Sequence, residues 1–84
     1  MRMMVSFTFD PADREQITPL APQARERITE LREAGRLDAL YLAANGANGW
    51  LVFRGDDEGA MRRDAESLPH RPFMRGMTYT PLRD

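Results

Sequence analysis

The spacing of apolar residues changes period along this chain, and that change constrains the fold more than any other feature. Met3 to Phe9 alternates with a period of two, which is typical of a strand with one buried face. The next apolar residues follow the helical spacing i, i+4 and i+7: Ala24, Ile28 and Leu31. Gly35 then stands where a helix commonly ends. The chain therefore begins with a predicted strand and a predicted helix.

The segment between these two elements has no clear period. Residues 11–22 contain three prolines, and Asp10-Pro11 favours the end of the strand because proline cannot donate to a ladder. We therefore predict a loop here, with one helical turn around Ala12–Gln16.

The second half of the chain predicts a hairpin, a helix and a final strand. Residues 37–54 predict a β-hairpin whose turn is Asn45–Gly49. This turn is rich in asparagine and glycine, which tolerate a positive φ. Asp56 is the predicted N-cap of a second helix, which carries an apolar stripe at Met61, Ala65 and Leu68. Phe73–Thr80 alternates again and predicts the last strand.

The resulting order, β-α-β-β-α-β, predicts one domain over residues 1–84 with a ferredoxin-like α+β fold. Both helices would cover one face of a four-stranded antiparallel sheet. Trp50–Phe53 is apolar at every position, so both faces of that strand require burial. An apolar sheet face left in water would be a large exposed patch, and we expect a second copy of the chain to cover it. The prediction is a homo-oligomer, a dimer or larger.

The inventory of reactive side chains excludes several chemistries. All 12 basic residues among the 84 are arginine, no cysteine occurs, and His70 is the single histidine. Schiff-base lysine, cysteine nucleophiles and ordinary transition-metal sites are therefore excluded, and we predict no metal and no organic cofactor. A formal charge of −1 gives no electrostatic case for nucleic acid or an anionic membrane. The lack of cysteine, of a signal peptide and of a long apolar run predicts a cytoplasmic protein.

A motif in the last third of the chain resembles a known family. Leu68-Pro69-His70-Arg71-Pro72-Phe73-Met74 resembles the leucine-proline-x-x-proline-aromatic-methionine signature of muconolactone isomerase-like proteins. The helix end at Leu31–Leu37, the aromatic Tyr41 and the run Trp50–Phe53 are also similar to that family. The resemblance implies a dimeric α+β barrel, a small-molecule pocket near the sheet, and a cofactor-independent shift of a lactone double bond.

Two residues are candidate catalytic groups. His70 is the only side chain whose unperturbed pKa lies near neutrality, so it can both give and take a proton; the alternative is an exposed loop residue. Glu26 enters through the resemblance, because the family's helix carries a glutamate beside a lysine and Glu26 here stands beside Arg25. Its alternative is a solvated helix face, since Glu26 lies off the apolar stripe.

Three further residues are candidate ligand contacts. Tyr41 and Trp50 could form a flat wall for an unsaturated ligand, or they could be core or interface aromatics. Arg75 interrupts an apolar alternating strand, at a position where the family usually has an acid. It is either a clamp for a carboxylate or phenolate, or one half of an interface ion pair.

Two functions of different classes agree with these residues. The first is a small cofactor-free isomerase or cyclase that transfers a proton on an unsaturated lactone, quinone or polyketide-like molecule. The second is a non-catalytic oligomeric protein of the same fold that binds small molecules or acts as a scaffold.

Overall fold

Four β-strands and three α-helices are present in the structure, a computed structural model that describes residues 1–83. The final residue of the predicted domain, Asp84, lies outside the described residues. In chain order the elements are β1 (Arg2–Thr8), α1 (Arg14–Ile17), α2 (Ala21–Glu33), β2 (Leu37–Leu42), β3 (Asn48–Arg54), α3 (Glu58–Glu66) and β4 (Arg75–Leu82). Short 3₁₀ turns occupy Pro11–Asp13, Thr18–Leu20 and Arg71–Phe73. No helix within residues 1–83 is long and apolar enough to cross a membrane.

The strands form one sheet in the order β2-β3-β1-β4, and each neighbouring pair is antiparallel. The two central strands are β1 and β3. The long helix α2 comes after β1 in the chain, and α3 comes after β3. The predicted ferredoxin-like α+β fold, the fold of the dimeric α+β barrel proteins, is confirmed.

The core lies between one face of the sheet and the two long helices. Met3 and Val5 on β1 lie opposite Phe53 and Leu51 on β3, and all four side chains are buried. From the helices, Leu31 of α2 together with Met61 and Ala65 of α3 completes this cluster. The apolar side chains predicted for the two helices therefore pack on the apolar face predicted for the strand.

A buried carboxylate connects the two helices at their polar edges. Asp64 of α3 is only 8% exposed, and its Oδ1 lies 3.4 Å from Nη2 of Arg36 and 4.0 Å from Nη2 of Arg27. Arg27 also donates from Nε to Oγ of Ser67 (3.0 Å), which follows α3. This network holds the end of α3 against α2 and fixes where the following loop starts.

The face without helices carries two transverse rows of side chains. Met4, Val52 and Ala39 are paired across β1, β3 and β2, and Ser6, Trp50 and Tyr41 form the next row. On β4 the same rows continue with threonines, Thr80 and Thr78. The apolar part of this face thus covers β2 and β3 and reaches Met4 on β1, and Tyr41 is 60% exposed there.

Residues 11–20 differ from the predicted loop. They form three consecutive helical turns that lead directly into α2, which begins at Ala21. Pro19 and Pro22 do not prevent this, because each lies in the first turn of its own helix, where the missing N–H would have no partner.

The hairpin and last strand differ from prediction at their ends. β3 begins at Asn48, inside the predicted turn, and β4 begins at Arg75 because Arg71–Phe73 is a 3₁₀ turn. The N-cap of α3 is Asp57, whose Oδ1 accepts a hydrogen bond from Ala60 N–H at 2.7 Å, so the prediction of Asp56 was wrong by one residue.

The capping geometry predicts different effects for two neighbouring aspartates. Asp57→Ala should lower the free energy of unfolding by about 1 kcal/mol, because an orphan N–H of α3 loses its acceptor. Asp56→Ala, which removes an equal charge from an exposed site, should change it by less than about 0.5 kcal/mol. Urea denaturation of both variants checks this, and equal losses would contradict the assignment of the cap.

Candidate functional site

An apolar cavity lies between the sheet and the N-terminal half of α2, at the end of the sheet where β1 and β2 finish. Its volume is about 480 Å³. Apolar side chains form most of the wall; α2 contributes Ala21, Ala24 and Ile28, and the sheet contributes Phe7, Leu40 and Leu51. The polar residues on its wall are Thr18, Arg25 and His70. An apolar pocket with a few polar groups is the usual form of a small-molecule site.

A glycine determines how closely the sheet packs beside this cavity. Phe7 lies opposite Gly49 in the register of β1 and β3. A Cβ atom on Gly49 would come within 2.3 Å of Cζ of Phe7, so only glycine allows the ring to lie across β3. The Phe7 ring continues edge-to-face into the Phe9 ring at a centroid distance of 5.1 Å, and both rings form the cavity wall.

His70 reaches the cavity from the loop between α3 and β4. The loop is a series of tight turns, in which Arg71 N–H donates to the Leu68 carbonyl and Phe73 N–H donates to the His70 carbonyl, both at 3.0 Å. Leu68 before the turns and Met74 after them are buried at 2% and 4% exposure. These two buried residues anchor the proline-rich motif to the core, and His70 between them lies on the cavity wall.

The surroundings of His70 favour the neutral form of its imidazole. Its ring lies 5.5 Å from the Phe9 ring, and its Nδ1 is buried without a hydrogen-bond partner among the described residues. Burial lowers the pKa of His70 below its ordinary value of 6.5, because the charged form loses its hydration. A neutral imidazole on a cavity wall can in general take a proton from a bound molecule.

A second cavity of about 300 Å³ adjoins the first. The two share Phe9, Ile17, Thr18 and Leu42 as walls. Arg14 lines the second cavity. The helical turns of residues 11–20 therefore contribute to the walls of both cavities.

The other predicted site residues do not line the His70 cavity. Glu26 is exposed on α2 and is not a wall residue. Tyr41 and Trp50 lie in the rows of the helix-free face, on the opposite side of the sheet. The structure therefore does not bring these two side chains together with His70. Their roles in ligand binding remain predictions.

Arg75 also lies apart from the cavity. Its Nη2 is 3.0 Å from Oδ2 of Asp13, in the turn that follows β1. Arg75 is the first residue of β4, so its charge lies at the end of the apolar strand, and its partner is in the same chain. This intramolecular pair is neither the interface ion pair nor the ligand clamp that the sequence suggested, and both of those roles remain predictions.

Sequence reasoning missed Arg25 and the cavity walls formed by residues 17–21. A signal for these walls was available, because Ile17, Leu20 and Ala21 extend the stripe of Ala24 and Ile28 upstream of the predicted helix. Two prolines within that stripe concealed it. Arg25 gives no such signal, since it is one of six charged residues in α2.

The described chain contains no group of three or more histidine, aspartate or glutamate side chains that could hold a metal ion. The chemistry available at the cavity is therefore that of one imidazole, one guanidinium and one hydroxyl.

Several solved structures have a similar fold. The 5-chloro-2-hydroxyhydroquinone dehydrochlorinase TftG from Burkholderia phenoliruptrix AC1100, solved with 2,5-dihydroxybenzoquinone, aligns with a TM-score of 0.82 and 8% identity over 99% of this chain and 94% of that one. Rv0793 from Mycobacterium tuberculosis aligns at 0.57 and 22% identity, covering 99% and 95%. MtbAldR aligns at 0.62 and 18% identity, and this chain spans 52% of it. Identities this low establish the fold alone.

Sequence comparison is more specific. A search of curated proteins gives no significant match. The sequence profile of the family described as muconolactone delta-isomerase, in contrast, matches residues 1–84, which include the proline-rich motif that carries His70. The chain therefore belongs to the muconolactone delta-isomerase family.

Proposed function

We propose that the protein is a small cofactor-independent enzyme of the isomerase type, with His70 as the proton-transferring residue. The observation that carries the proposal is the position of His70, the one titratable imidazole of the chain, on the wall of a largely apolar cavity. Membership of an isomerase family supports the same reading.

The step would begin when the neutral imidazole accepts a proton from a carbon next to a carbonyl group. The electron pair of the broken C–H bond moves onto the carbonyl oxygen and gives an enolate. The imidazolium then returns the proton to a different carbon of the conjugated system, so the double bond shifts and no oxidant or reductant is consumed.

The proposed substrates are unsaturated lactones, quinones and polyketide-like molecules. A planar, largely apolar ring suits a cavity walled by Phe7, Phe9 and aliphatic side chains. TftG, of similar fold, was solved with 2,5-dihydroxybenzoquinone, a molecule of this kind. The alternative of a non-catalytic binding or scaffold protein is less favoured, because it leaves the unpartnered imidazole without a role.

Substitution of the proposed base should abolish most of the activity. Isomerisation of α-angelica lactone, a β,γ-unsaturated butenolide, can be followed by NMR in D₂O, where proton return also introduces deuterium. We expect His70→Asn to lower kcat/KM by about 10²–10⁴-fold, the usual contribution of a proton-transfer group.

Glu26→Gln is the matched control, because Glu26 is the other predicted catalytic residue and is exposed outside the cavity wall. We expect a change of no more than a few-fold. A loss of activity in Glu26→Gln with His70→Asn unaffected would transfer the role to Glu26 and overturn the proposal.

The pH dependence of stability should report the buried imidazole. The pKa of His70 is lower in the folded state, so the unfolded state binds more protons below about pH 6.5 and the free energy of unfolding falls as the pH decreases. Above that pH the contribution vanishes, since His70 is neutral in both states. Because His70 is the only histidine, its imidazole signals can be titrated by NMR without assignment.

We expect a midpoint below 6.5 in the wild-type protein and a weaker loss of stability between pH 7 and 5 in His70→Asn. A midpoint at or above 6.5 would contradict the desolvated position of the ring.

We also propose that two copies of the chain pair through the helix-free sheet face. Met4, Ala39, Trp50 and Val52 form a continuous apolar patch in the paired rows, with the exposed Tyr41 at its edge. A patch of this kind on a sheet face is typical of a protein interface.

Light scattering at low micromolar concentration tests the pairing. The wild-type protein should have at least twice the 9.6 kDa mass of one chain. Tyr41→Arg should shift it toward the monomer, whereas Gln23→Arg, an equal charge change on exposed α2, should not. A wild-type monomer that stays soluble would contradict the proposal.

A further inference from the structure

The hairpin between β2 and β3 contains the same reactive tripeptide twice. Its two copies, Ala44-Asn45-Gly46 and Ala47-Asn48-Gly49, hold the only asparagines of the chain. An asparagine before glycine is prone to deamidation, because glycine has no side chain to hinder attack by its backbone nitrogen on the asparagine carboxamide. The local sequence gives both copies the same chemistry, so any difference between them comes from the fold.

The first copy lies where the reaction is accessible. Asn45 and Gly46 are both exposed, in the connection between the two strands. Gly46 has a φ of 71°, in the left-handed region that glycine adopts readily. Its N–H donates to the Ala43 carbonyl at 2.8 Å. Attack by the Gly46 nitrogen therefore has to break one hydrogen bond at the surface and displaces no packed side chain.

A backbone donor already holds the carboxamide of Asn45. Its Oδ1 accepts a hydrogen bond from Ala47 N–H at 2.9 Å. A hydrogen bond to the backbone two residues further along keeps an asparagine side chain close to the intervening peptide, which here is that of Gly46. The same oxygen gains negative charge when the carboxamide is attacked, and a fixed N–H donor at that position stabilises the charge.

The second copy lies inside the sheet. Gly49 is opposite Phe7 of β1 and Leu42 of β2, so the strand that contains it is paired on both sides. Gly49 is buried, and a single added Cβ atom would collide with the Phe7 ring. The Asn48 carbonyl also accepts a hydrogen bond from Ala43 N–H at 2.8 Å. Ring closure between Asn48 and Gly49 therefore requires local opening of β3.

We infer that Asn45 is a deamidation site of the folded protein and that Asn48 is protected. The Gly46 nitrogen forms a bond to Cγ of Asn45, its proton passes through solvent to the carboxamide nitrogen, and that nitrogen leaves as ammonia. Water then opens the five-membered imide. Opening at the main-chain carbonyl gives isoaspartate at position 45, and opening at the side-chain carbonyl gives aspartate. The reaction consumes water and needs no oxidant or reductant.

The modification would change the second cavity and leave the core intact. Asn45 lines that cavity together with Asp10 and Arg14, whose opposite charges are the only formal charges on its wall. A carboxylate at position 45 would therefore give the wall a net negative charge. Asn45 is exposed and does not belong to the buried core cluster. The inference concerns the hairpin and does not depend on the function proposed for His70.

Peptide mapping of the aged protein tests the inference. Cleavage at arginine releases residues 37–54 as one peptide with both asparagines, and fragment ions assign each mass gain to one of them. In mildly alkaline buffer we expect Asn45 of the folded protein to react at least about tenfold faster than Asn48, which reacts only after local opening. In denaturing urea the two rates should lie within about threefold of each other, because the tripeptides are identical.

Two variants provide matched controls on ion-exchange chromatography. Asn45→Gln should prevent formation of the more acidic form, because a glutamine has to close a larger ring, whereas Asn48→Gln should form it at the wild-type rate. Equal rates at the two asparagines of the folded protein, or a faster reaction at Asn48, would overturn the inference. A rate at Asn45 that is more than about tenfold lower in the folded protein than in urea would overturn it as well, since the turn would then protect the residue.

Discussion

β1 is hydrogen-bonded on both sides, to β3 and to β4, and its inward side chains Met3 and Val5 have no exposed surface. A shift of one residue in the pairing would turn these side chains to the helix-free face, so burial permits a single register. The same register places Phe7 inward at the far end of β1, opposite Gly49. The packing of the core therefore determines where the cavity lies, because Phe7, the last inward residue of β1, forms part of the cavity wall.

Two ring contacts connect the hydrophobic core to His70. Phe7 packs on Phe9, and Phe9 lies beside the imidazole of His70. From the other side, the Asp64 network fixes the end of α3, after which the buried Leu68 and Met74 hold the loop. His70 thus needs no hydrogen bond of its own to be positioned, and its Nδ1 remains uncommitted.

Most of the fold could be predicted because its elements are local patterns of period two or 3.6. The ends were less predictable, since Asp56 and Asp57 are equally suitable caps in sequence and only backbone geometry distinguishes them. Residues 11–20 were missed for a different reason. The prolines at 19 and 22 mark loops in most contexts, and here each lies at the start of a helical turn that continues the stripe of α2.

The site was less predictable than the fold because its walls come from distant parts of the chain. Scarcity identified His70, since a single histidine stands out in any sequence. The same reasoning selected Arg75, whose unusual position on a strand was resolved by Asp13, 62 residues away. Arg25 looks ordinary among the charges of α2, and only the folded structure places it on the wall of an apolar cavity. A charge that contrasts with its sequence neighbours can find its partner far along the chain, as Arg75 does with Asp13, and the spacing of residues in the sequence does not reveal such a pair.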